Sequence, residues 1–255
     1  MTSNRKEQIC RLLKGIETGD PVSVSVVNEE KYIQHNPQTH EGSEGLAVLF
    51  KRLSKTSPRV NVVRAFEDGD FVFAHTEYDF ATRNIGFEVF RFENGQAVDH
   101  WDNIQKRKGP NDSGHSMVDG ATEVADLEKT ESNRSTIVSF VENVLIQGNM
   151  EKMNAYLNQE CYVEHNPGLG DNLVKLKSVL SGSDNHSSVS IKYKKCHRVL
   201  AEGNFVLSVC EGYVNQIPSS FFDLYRLENG RIVEHWDTIE AIPPRSEWKN
   251  KNGKF

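Results

Sequence analysis

Residues 91–105 read RFENGQAVDHWDNIQ, and residues 226–240 read RLENGRIVEHWDTIE. The two stretches agree at nine of their fifteen positions. Upstream, YIQHNP at residues 32–37 returns as YVEHNP at residues 162–167. A repeat longer than about 100 residues is a duplicated domain and not a solenoid array. The chain therefore contains two copies of one small domain, and both copies keep the same polar residues.

The bulk composition narrows the class of protein. The chain has 255 residues and a net charge of −6, which argues against a nucleic-acid partner and against attraction to an anionic membrane. No window approaches the roughly 18 consecutive apolar residues of a membrane-spanning helix. The four cysteines lie far apart without a Cys-x-x-Cys pair, which is typical of reduced thiols. We expect a cytoplasmic protein with no nucleic-acid and no membrane partner.

Each copy begins with helical patterns and continues with strand patterns. Apolar residues at helical spacing precede and follow the His-Asn-Pro segment, and an Asn-Gly turn joins the last two strands. This order predicts an α+β fold, a curved antiparallel sheet wrapped around N-terminal helices. We place the first copy at 1–108, a linker at 109–130, the second copy at 131–245 and a basic tail at 246–255. A solvated tail is the more frequent case, and we expect one here.

The repeated His-x-Asp pairs are the strongest chemical signal. Alternate residues of a strand project from one face, so His100 and Asp102 point together and Trp101 points away. His235 and Asp237 form the same pair in the second copy. A carboxylate set among apolar walls beside an imidazole can have a pKa close to neutrality, as general acid/base catalysis requires.

Further polar residues repeat around each pair. Glu88 and Asp223 each stand 14 residues before the motif aspartate and take equivalent positions in a regular hairpin. Asn36 and Asn166 could orient a carbonyl or stabilise an enolate. A structural interpretation stays open, with the acid and histidine as an ion pair at a strand end and the asparagine capping a helix.

A metal site is an alternative interpretation of the same residues. His35, His75, His100 and Asp102 could supply two histidines and a carboxylate. Position 209 of the second copy, however, holds Val209 where the first copy has His75. No His-x-x-x-His or cysteine spacing supports a metal either, so we expect neither a metal nor a cofactor.

The order of these motifs resembles SnoaL-like proteins of the nuclear-transport-factor-two-like superfamily, which also includes ketosteroid isomerase and scytalone dehydratase. The likeness rests on Tyr-x-x-His-Asn-Pro and on Arg-x-Glu-Asn-Gly-x-x-Val-(Asp/Glu)-His-Trp-Asp, and it covers residues 1–108 and 131–245. It implies two tandem cone-shaped barrels, each with a pocket at its open end. The His-Trp-Asp subgroup is commonly labelled as predicted aldol-condensation enzymes.

The resemblance also implies roles for residues. In the polyketide cyclases of this family an aspartate acts as acid/base in an aldol ring closure without a cofactor, which maps onto Asp102 and Asp237, with His100 and His235 beside them. The family places a neutral polar or imidazole group where this chain has Glu88 and Asp223, so the substrate should differ. The expected substrate-binding residues are Tyr32, His35, Asn36, His75, Glu88, Tyr162, His165, Asn166 and Asp223.

The sequence supports three functional hypotheses. The first is a cofactor-free acid/base enzyme that acts on a small apolar carbonyl-containing molecule by aldol cyclisation or isomerisation. The second is a non-catalytic module that binds a small molecule, and the third is a pair with only one working pocket. Because such domains usually pair through their sheets, we also expect the two copies to form an internal pseudo-dimer, which sedimentation would detect as a compact monomer.

Overall fold

The structure is a computed structural model that describes residues 4–182 and 189–255. It divides into two compact units, Met1–Arg107 with Ile242–Phe255 and Lys108–Ala241. Each unit combines helices with one five-stranded sheet. The predicted α+β class, with helices preceding a mostly antiparallel sheet in each copy, is confirmed.

The first unit contains two helices and five strands. The helices are α1 (Arg5–Thr18) and α2 (Gly42–Leu53). The strands are β1 (Ile33–Gln34), β2 (Arg59–Asp68), β3 (Phe71–Asp79), β4 (Arg83–Glu93) and β5 (Gln96–Lys106). The order across the sheet is β1-β5-β4-β3-β2, and β1 runs parallel to β5 while the other neighbours are antiparallel.

Local sequence explains where the elements of this unit begin and end. The side chain of Asn4 accepts a hydrogen bond from the backbone N–H of Lys6 at the start of α1, and Gly19 ends the helix with φ 68°. Asn94 and Gly95 have φ 50° and 83°, the left-handed values that a two-residue hairpin turn requires. That turn starts the pairing of β4 with β5, and a one-residue register shift between Phe92 and Arg91 then brings Glu88 opposite Asp102.

The second unit repeats the arrangement. Its helices are α3 (Thr130–Phe140), α4 (Met153–Tyr156) and α5 (Leu173–Leu180), and its strands are β6 (Val163–Glu164), β7 (Ile191–Glu202), β8 (Phe205–Val214), β9 (Ile217–Glu228) and β10 (Arg231–Ala241). The sheet order is β6-β10-β9-β8-β7. Among the helices of residues 4–182 and 189–255, none is both long and apolar enough to cross a bilayer.

Each unit is completed by a segment without regular strands. The expectation of a solvated tail is wrong, because Asn250 and Lys254 are only 7% and 4% exposed. Asn250 Nδ2 donates to the backbone oxygens of Asn36 and Thr39, at 2.7 and 2.9 Å. The segment proposed as a linker likewise folds onto the second unit, where the Asn111 side chain donates to the backbone oxygen of Glu164. Both segments are therefore packed parts of their units.

Candidate functional site

The sheet register assembles the first site. Asp102 on β5 lies directly opposite Glu88 on β4, because the register shifts by one residue between Phe92 and Arg91. His100 is two residues before Asp102 and lies opposite Gln34 of β1. Because alternate strand residues share a face, these four side chains project to the same side of the sheet.

A hydrogen-bonded chain links the polar groups of the first site. His100 Nε2 lies 2.6 Å from Glu88 Oε2, and His100 Nδ1 lies 3.1 Å from Gln34 Oε1. The hydroxyl of Tyr78 donates to the other oxygen of Glu88 at 2.6 Å. Both ring nitrogens of His100 therefore face an oxygen acceptor, which fixes the orientation of the ring.

Asp102 is held by two groups from outside the antiparallel strands. Asn36 Nδ2 donates to Asp102 Oδ2 at 2.8 Å. The ammonium of Lys254 lies 3.6 Å from Oδ1 and donates to the backbone oxygen of Asp102 at 2.8 Å. Both partners of this ion pair are buried. The tail thus places a positive charge against the aspartate predicted to be catalytic.

Burial shapes the protonation of the neighbouring groups. Burial raises the pKa of Glu88, and the hydrogen bond and charge of His100 oppose that rise only in part. Burial, followed by the charge of Asp102, raises the pKa of Tyr32 well above its usual value. Tyr32 therefore keeps its proton, and within the described residues its hydroxyl has no hydrogen-bond partner.

A cavity opens beside this cluster. Its volume is about 60 Å³, and Glu88, His100 and Asp102 form its polar end. The remaining wall comes mainly from apolar residues of α1, α2 and the sheet, among them Leu12, Leu13, Ile16, Leu46, Phe50 and Phe90. An apolar pocket with a few convergent polar groups is the usual form of a small-molecule site.

The second site repeats the histidine but surrounds it with more acids. His235 Nδ1 lies 2.9 Å from Glu164 Oε1, and His235 Nε2 lies 3.2 Å from Asp223 Oδ1. Asn166 Nδ2 donates to Asp237 Oδ2 at 2.5 Å. Tyr193 supplies the hydroxyl to Asp223 at 3.0 Å. Glu164 stands where the first site has the neutral Gln34.

The acids of the second site are differentiated by their surroundings. Burial alone would raise the pKa of Glu164, but the charge and hydrogen bond of His235 outweigh it and lower that pKa. Burial would lower the pKa of His235, yet the charge of Glu164 and the bond to Asp223 raise it well above its usual value. Burial raises the pKa of Asp237 to about 7, and the charges of Glu164 and Asp223 add to the effect while that of His235 opposes it. The site therefore pairs a charged histidine with an aspartate that titrates near neutrality.

The second cavity is smaller than the first. Its volume is about 30 Å³, and its polar lining includes Asp223, His235, Tyr162 and Tyr193. Asp102 lines the first cavity, whereas Asp237 is not among the residues that line the second. The two motif aspartates thus differ in their access to the cavity of their own unit.

Two predicted site histidines lie on the other face of the sheet. His35 stacks on Trp101 with ring centroids 4.4 Å apart, and its Nε2 lies 3.3 Å from Asp99 Oδ1. His165 stacks on Trp236 at 4.7 Å and pairs with Glu234 at 2.9 Å. These histidines therefore point away from His100 and His235, since neighbouring strand residues project to opposite faces. They contact the added segments instead, at the carbonyls of Gly253 and Ser116.

His75 also lies on the face of the sheet opposite to Glu88. It lies opposite Phe87, one residue out of phase with Glu88, and it stacks on that ring at 4.4 Å. The proposed metal set of His35, His75, His100 and Asp102 is therefore not brought together.

Glu88, His100 and Asp102 do bring ligand atoms within 4.8 Å of one another. A cation there would meet the fixed ammonium of Lys254 and would have to replace the hydrogen bond between Glu88 and His100. The donor set suits a metal poorly.

Several functional residues were missed from the sequence. Gln34 and Glu164 occupy the position of the YIQHNP and YVEHNP repeat at which a neutral residue is replaced by a charged one. Each lies two residues before the asparagine of its motif, so in a strand the two side chains share a face. Lys254 gave no local signal because its contact with Asp102 spans 152 residues. Tyr78 and Tyr193 occupy different strands, β3 and β7, so aligning the two copies does not pair them.

The comparisons with known proteins give no close relative. No family model matches the chain, and no curated protein matches it. Among solved structures, it is similar to IdmH, a candidate polyketide cyclase from Streptomyces antibioticus, at 15% identity and a TM-score of 0.36 over 40% of this chain and 93% of that chain. It is also similar to an LEH-like epoxide hydrolase of M. tuberculosis, at 20% identity and a TM-score of 0.34 over 44% of this chain and 85% of that chain. A third similar structure is an NTF2-like protein of unknown function from Cytophaga hutchinsonii, at 15% identity and a TM-score of 0.35 over 41% of this chain and 95% of that chain.

Proposed function

We propose that this protein is a cofactor-free acid/base catalyst that moves a proton next to the carbonyl of a small apolar molecule, as in an aldol cyclisation or an isomerisation. Asp102 and Asp237 would accept the proton from carbon. His100 and His235 would hold the neighbouring acids in place. The buried hydroxyl of Tyr32 would donate to the developing enolate oxygen in the first site, because preorganised donors stabilise charge that forms in the transition state.

The supporting observation is the state of the two motif aspartates. One oxygen of each accepts a hydrogen bond from an asparagine side chain, while Oδ1 of Asp102 and of Asp237 accepts none from the described residues. A buried carboxylate with one oxygen fixed and the other without a hydrogen bond is oriented for proton transfer, and in the first site the ammonium of Lys254 lies 3.6 Å from that second oxygen. The pKa of about 7 for Asp237 suits exchange of that proton at neutral pH.

The cavity sizes restrict the substrate class. Pockets for drug-sized ligands have volumes of about 300–1,000 Å³. The cavities here have volumes of about 60 and 30 Å³, so a ligand the size of a polyketide requires the helices to move away from the sheet. A compact ketone fits the chemistry with the least rearrangement, and we choose it as the probe.

The test is hydrogen–deuterium exchange at the α-carbon of cyclopentanone in D₂O, followed by proton NMR. Wild-type protein should accelerate the exchange over buffer. Asp102→Asn and Asp237→Asn together should lower the rate by about 10²–10⁴-fold, the usual contribution of a positioned base. Exchange that depends on Asp237 should rise through pH 7, because its carboxylate is the active form.

Two results would count against the proposal. Unchanged exchange in a folded double variant would remove both aspartates from the reaction. A melting temperature raised by cyclopentanone without any exchange would instead favour a non-catalytic binding module.

A second candidate is a pair with one working pocket, the first. It is favoured because Asp102 lines its cavity and Asp237 does not. In that case Asp102→Asn alone abolishes exchange and Asp237→Asn leaves it unchanged.

A further inference from the structure

Cys196 and Cys210 lie directly opposite each other on the antiparallel strands β7 and β8 of the second unit. Directly opposed Cα atoms in such a pair are about 4.5–5.5 Å apart. Disulfides span Cα separations of about 4.4–6.8 Å. The backbone therefore already has the separation that a cross-strand disulfide needs.

The two thiols are in contact but differ in exposure. Their side chains leave the same face of the sheet, where Cys196 Sγ donates to the backbone oxygen of Arg198 at 3.5 Å and Cys210 Sγ to the hydroxyl of Ser208 at 3.9 Å. Cys210 is fully buried within the hydrophobic core of the unit, whereas Cys196 is partly exposed. A small oxidant in solution can therefore reach Cys196 first.

The more exposed thiol, that of Cys196, is also the more acidic of the two. The hydrogen bond from Cys210 lowers the pKa of the Cys196 thiol, against the effect of burial. The same bond, together with burial, raises the pKa of Cys210 well above its usual value. Since the thiolate is the nucleophile in disulfide exchange, Cys196 is the residue that attacks.

The first unit offers an internal comparison. Val62 and Thr76 are directly opposed on β2 and β3, the strands that correspond to β7 and β8. Thr76 stands five residues after Phe71, as Cys210 stands five after Phe205. The opposed thiols are thus a property of the second copy and not of the shared scaffold.

We propose that Cys196 and Cys210 are a reversible oxidation site that forms a cross-strand disulfide with a low-molecular-weight disulfide as the oxidant. The Cys196 thiolate attacks one sulfur of the oxidant, forming a mixed disulfide and releasing one thiolate. Cys210 then loses its proton and attacks Cys196 Sγ, which expels the second thiolate. The two protons of the cysteines pass to the two released thiols, so the oxidant is reduced as the protein pair is oxidised.

The bond would lie beside the second site. Cys210 is two residues after Ser208, which lies opposite Asp223, so Cys210, Asp223 and Tyr225 project from the same face of the sheet. Tyr193, which donates to Asp223, is three residues before Cys196 on β7. A disulfide between β7 and β8 therefore restrains the strand that carries the Tyr193 hydroxyl. This inference concerns the thiols alone and does not depend on the proposed catalysis.

The experiment equilibrates the full chain with mixtures of reduced and oxidised glutathione, then unfolds it in acidic denaturant, alkylates the remaining thiols and measures the intact and digested masses. The reduced protein has four free thiols. In oxidising mixtures we expect a linked peptide pair containing Cys196 and Cys210, with the loss of two hydrogens and of two alkylation sites. A Cys161→Ser variant serves as the matched control, because it removes an exposed thiol and should leave the link intact.

The single variants test the order of attack. Cys210→Ser should trap glutathione on Cys196, and Cys196→Ser should leave Cys210 unmodified because it is buried. The proposal is overturned if wild-type Cys196 and Cys210 both remain alkylated in the most oxidising mixture. It is also overturned if wild-type Cys196 stops at the mixed disulfide, a result that needs no variant to fold.

Discussion

The two sites use the same sheet positions but balance their buried charges differently. The first site has two acids, Glu88 and Asp102, and brings the ammonium of Lys254 to 3.6 Å from one of them. The second site has three acids, Glu164, Asp223 and Asp237, around one histidine. A buried charge is costly unless it is paired, so an excess of acids must be relieved by protonation. The duplicated aspartate therefore pairs with a lysine in one copy, whereas in the other copy its pKa is raised to about 7.

The difference in buried charge comes from the segments that complete the units, 246–255 in the first and 109–130 in the second. Lys254 directly follows the carbonyl of Gly253, which contacts His35. Met117 directly follows the carbonyl of Ser116, which contacts His165. Lys254 and Met117 are both buried. We infer that they hold equivalent places, with a cation in one unit and a thioether in the other.

Replacing Lys254 by Met should have the largest effect. The substitution keeps a long side chain but leaves the carboxylate of Asp102 buried without its cation. Breaking a buried ion pair costs about 3–5 kcal/mol of the free energy of unfolding. Urea denaturation at pH 7 measures the loss, and Lys251→Met, an exposed lysine of the same tail, should change stability by less than about 0.5 kcal/mol. Equal effects of the two variants would remove Lys254 from the charge balance.

Replacing Asp237 by Asn should stabilise the protein at alkaline pH. The folded-state pKa of Asp237 is about 7 and its ordinary value is 3.8, so its favourable contribution is complete below pH 4 and is lost as the pH rises through 7. At about 1.4 kcal/mol per pH unit, the loss approaches roughly 4 kcal/mol. Denaturation of the variant and the wild type at pH 5 and pH 9 should therefore show a gain that grows with pH. A gain independent of pH would contradict the titration.

Removing the hydroxyl of Tyr78 should have a smaller effect. Tyr78→Phe deletes the 2.6 Å hydrogen bond to Glu88, and bonds to charged groups contribute about 1.5–3 kcal/mol. Tyr193→Phe should cost less, since its bond to Asp223 is longer at 3.0 Å. Thermal denaturation of the two variants compares the sites directly. A larger loss for Tyr193→Phe would reverse the ranking.

Much of the fold follows from the sequence because its causes are local. The Asn94–Gly95 turn sets the hairpin, whereas the pairing of Glu88 with Asp102 also needs the register shift beside Phe92, which has no local signal. Strand alternation then puts His100 beside that pair and turns Trp101 away, as the structure shows for its stacking on His35. The hairpin and the opposite facing of His100 and Trp101 need only the period of a strand and the geometry of a two-residue turn.

The errors lie where long-range contacts decide the outcome. His35 and Asn36 are neighbours in one motif, yet Asn36 contacts Asp102 and His35 contacts Asp99 on the other face. Strand β1 is only two residues long, so its alternation was too short to recognise. The pairing of Lys254 with Asp102 depends on the path of the tail, for which no periodic pattern exists.

The tyrosine that contacts the buried acid stands on a different strand in each copy, which the sequence did not predict. Tyr78 lies opposite Val60, whereas Tyr193 lies opposite Gly212, at the same pair of positions in the two sheets. The hydroxyl therefore reaches the acid from the adjacent strand. Aligning the copies shows a tyrosine replaced by glycine, and only the register shows that its function is kept.

The most direct test is the titration of the Asp237 carboxyl group by ¹³C NMR, with its resonance assigned by comparison with Asp237→Asn. We predict a midpoint near pH 7 in the wild type and a lower midpoint in Met117→Lys, where the added ammonium favours the carboxylate. A wild-type midpoint near pH 4, the ordinary value for aspartate, would contradict the proposed difference between the two sites.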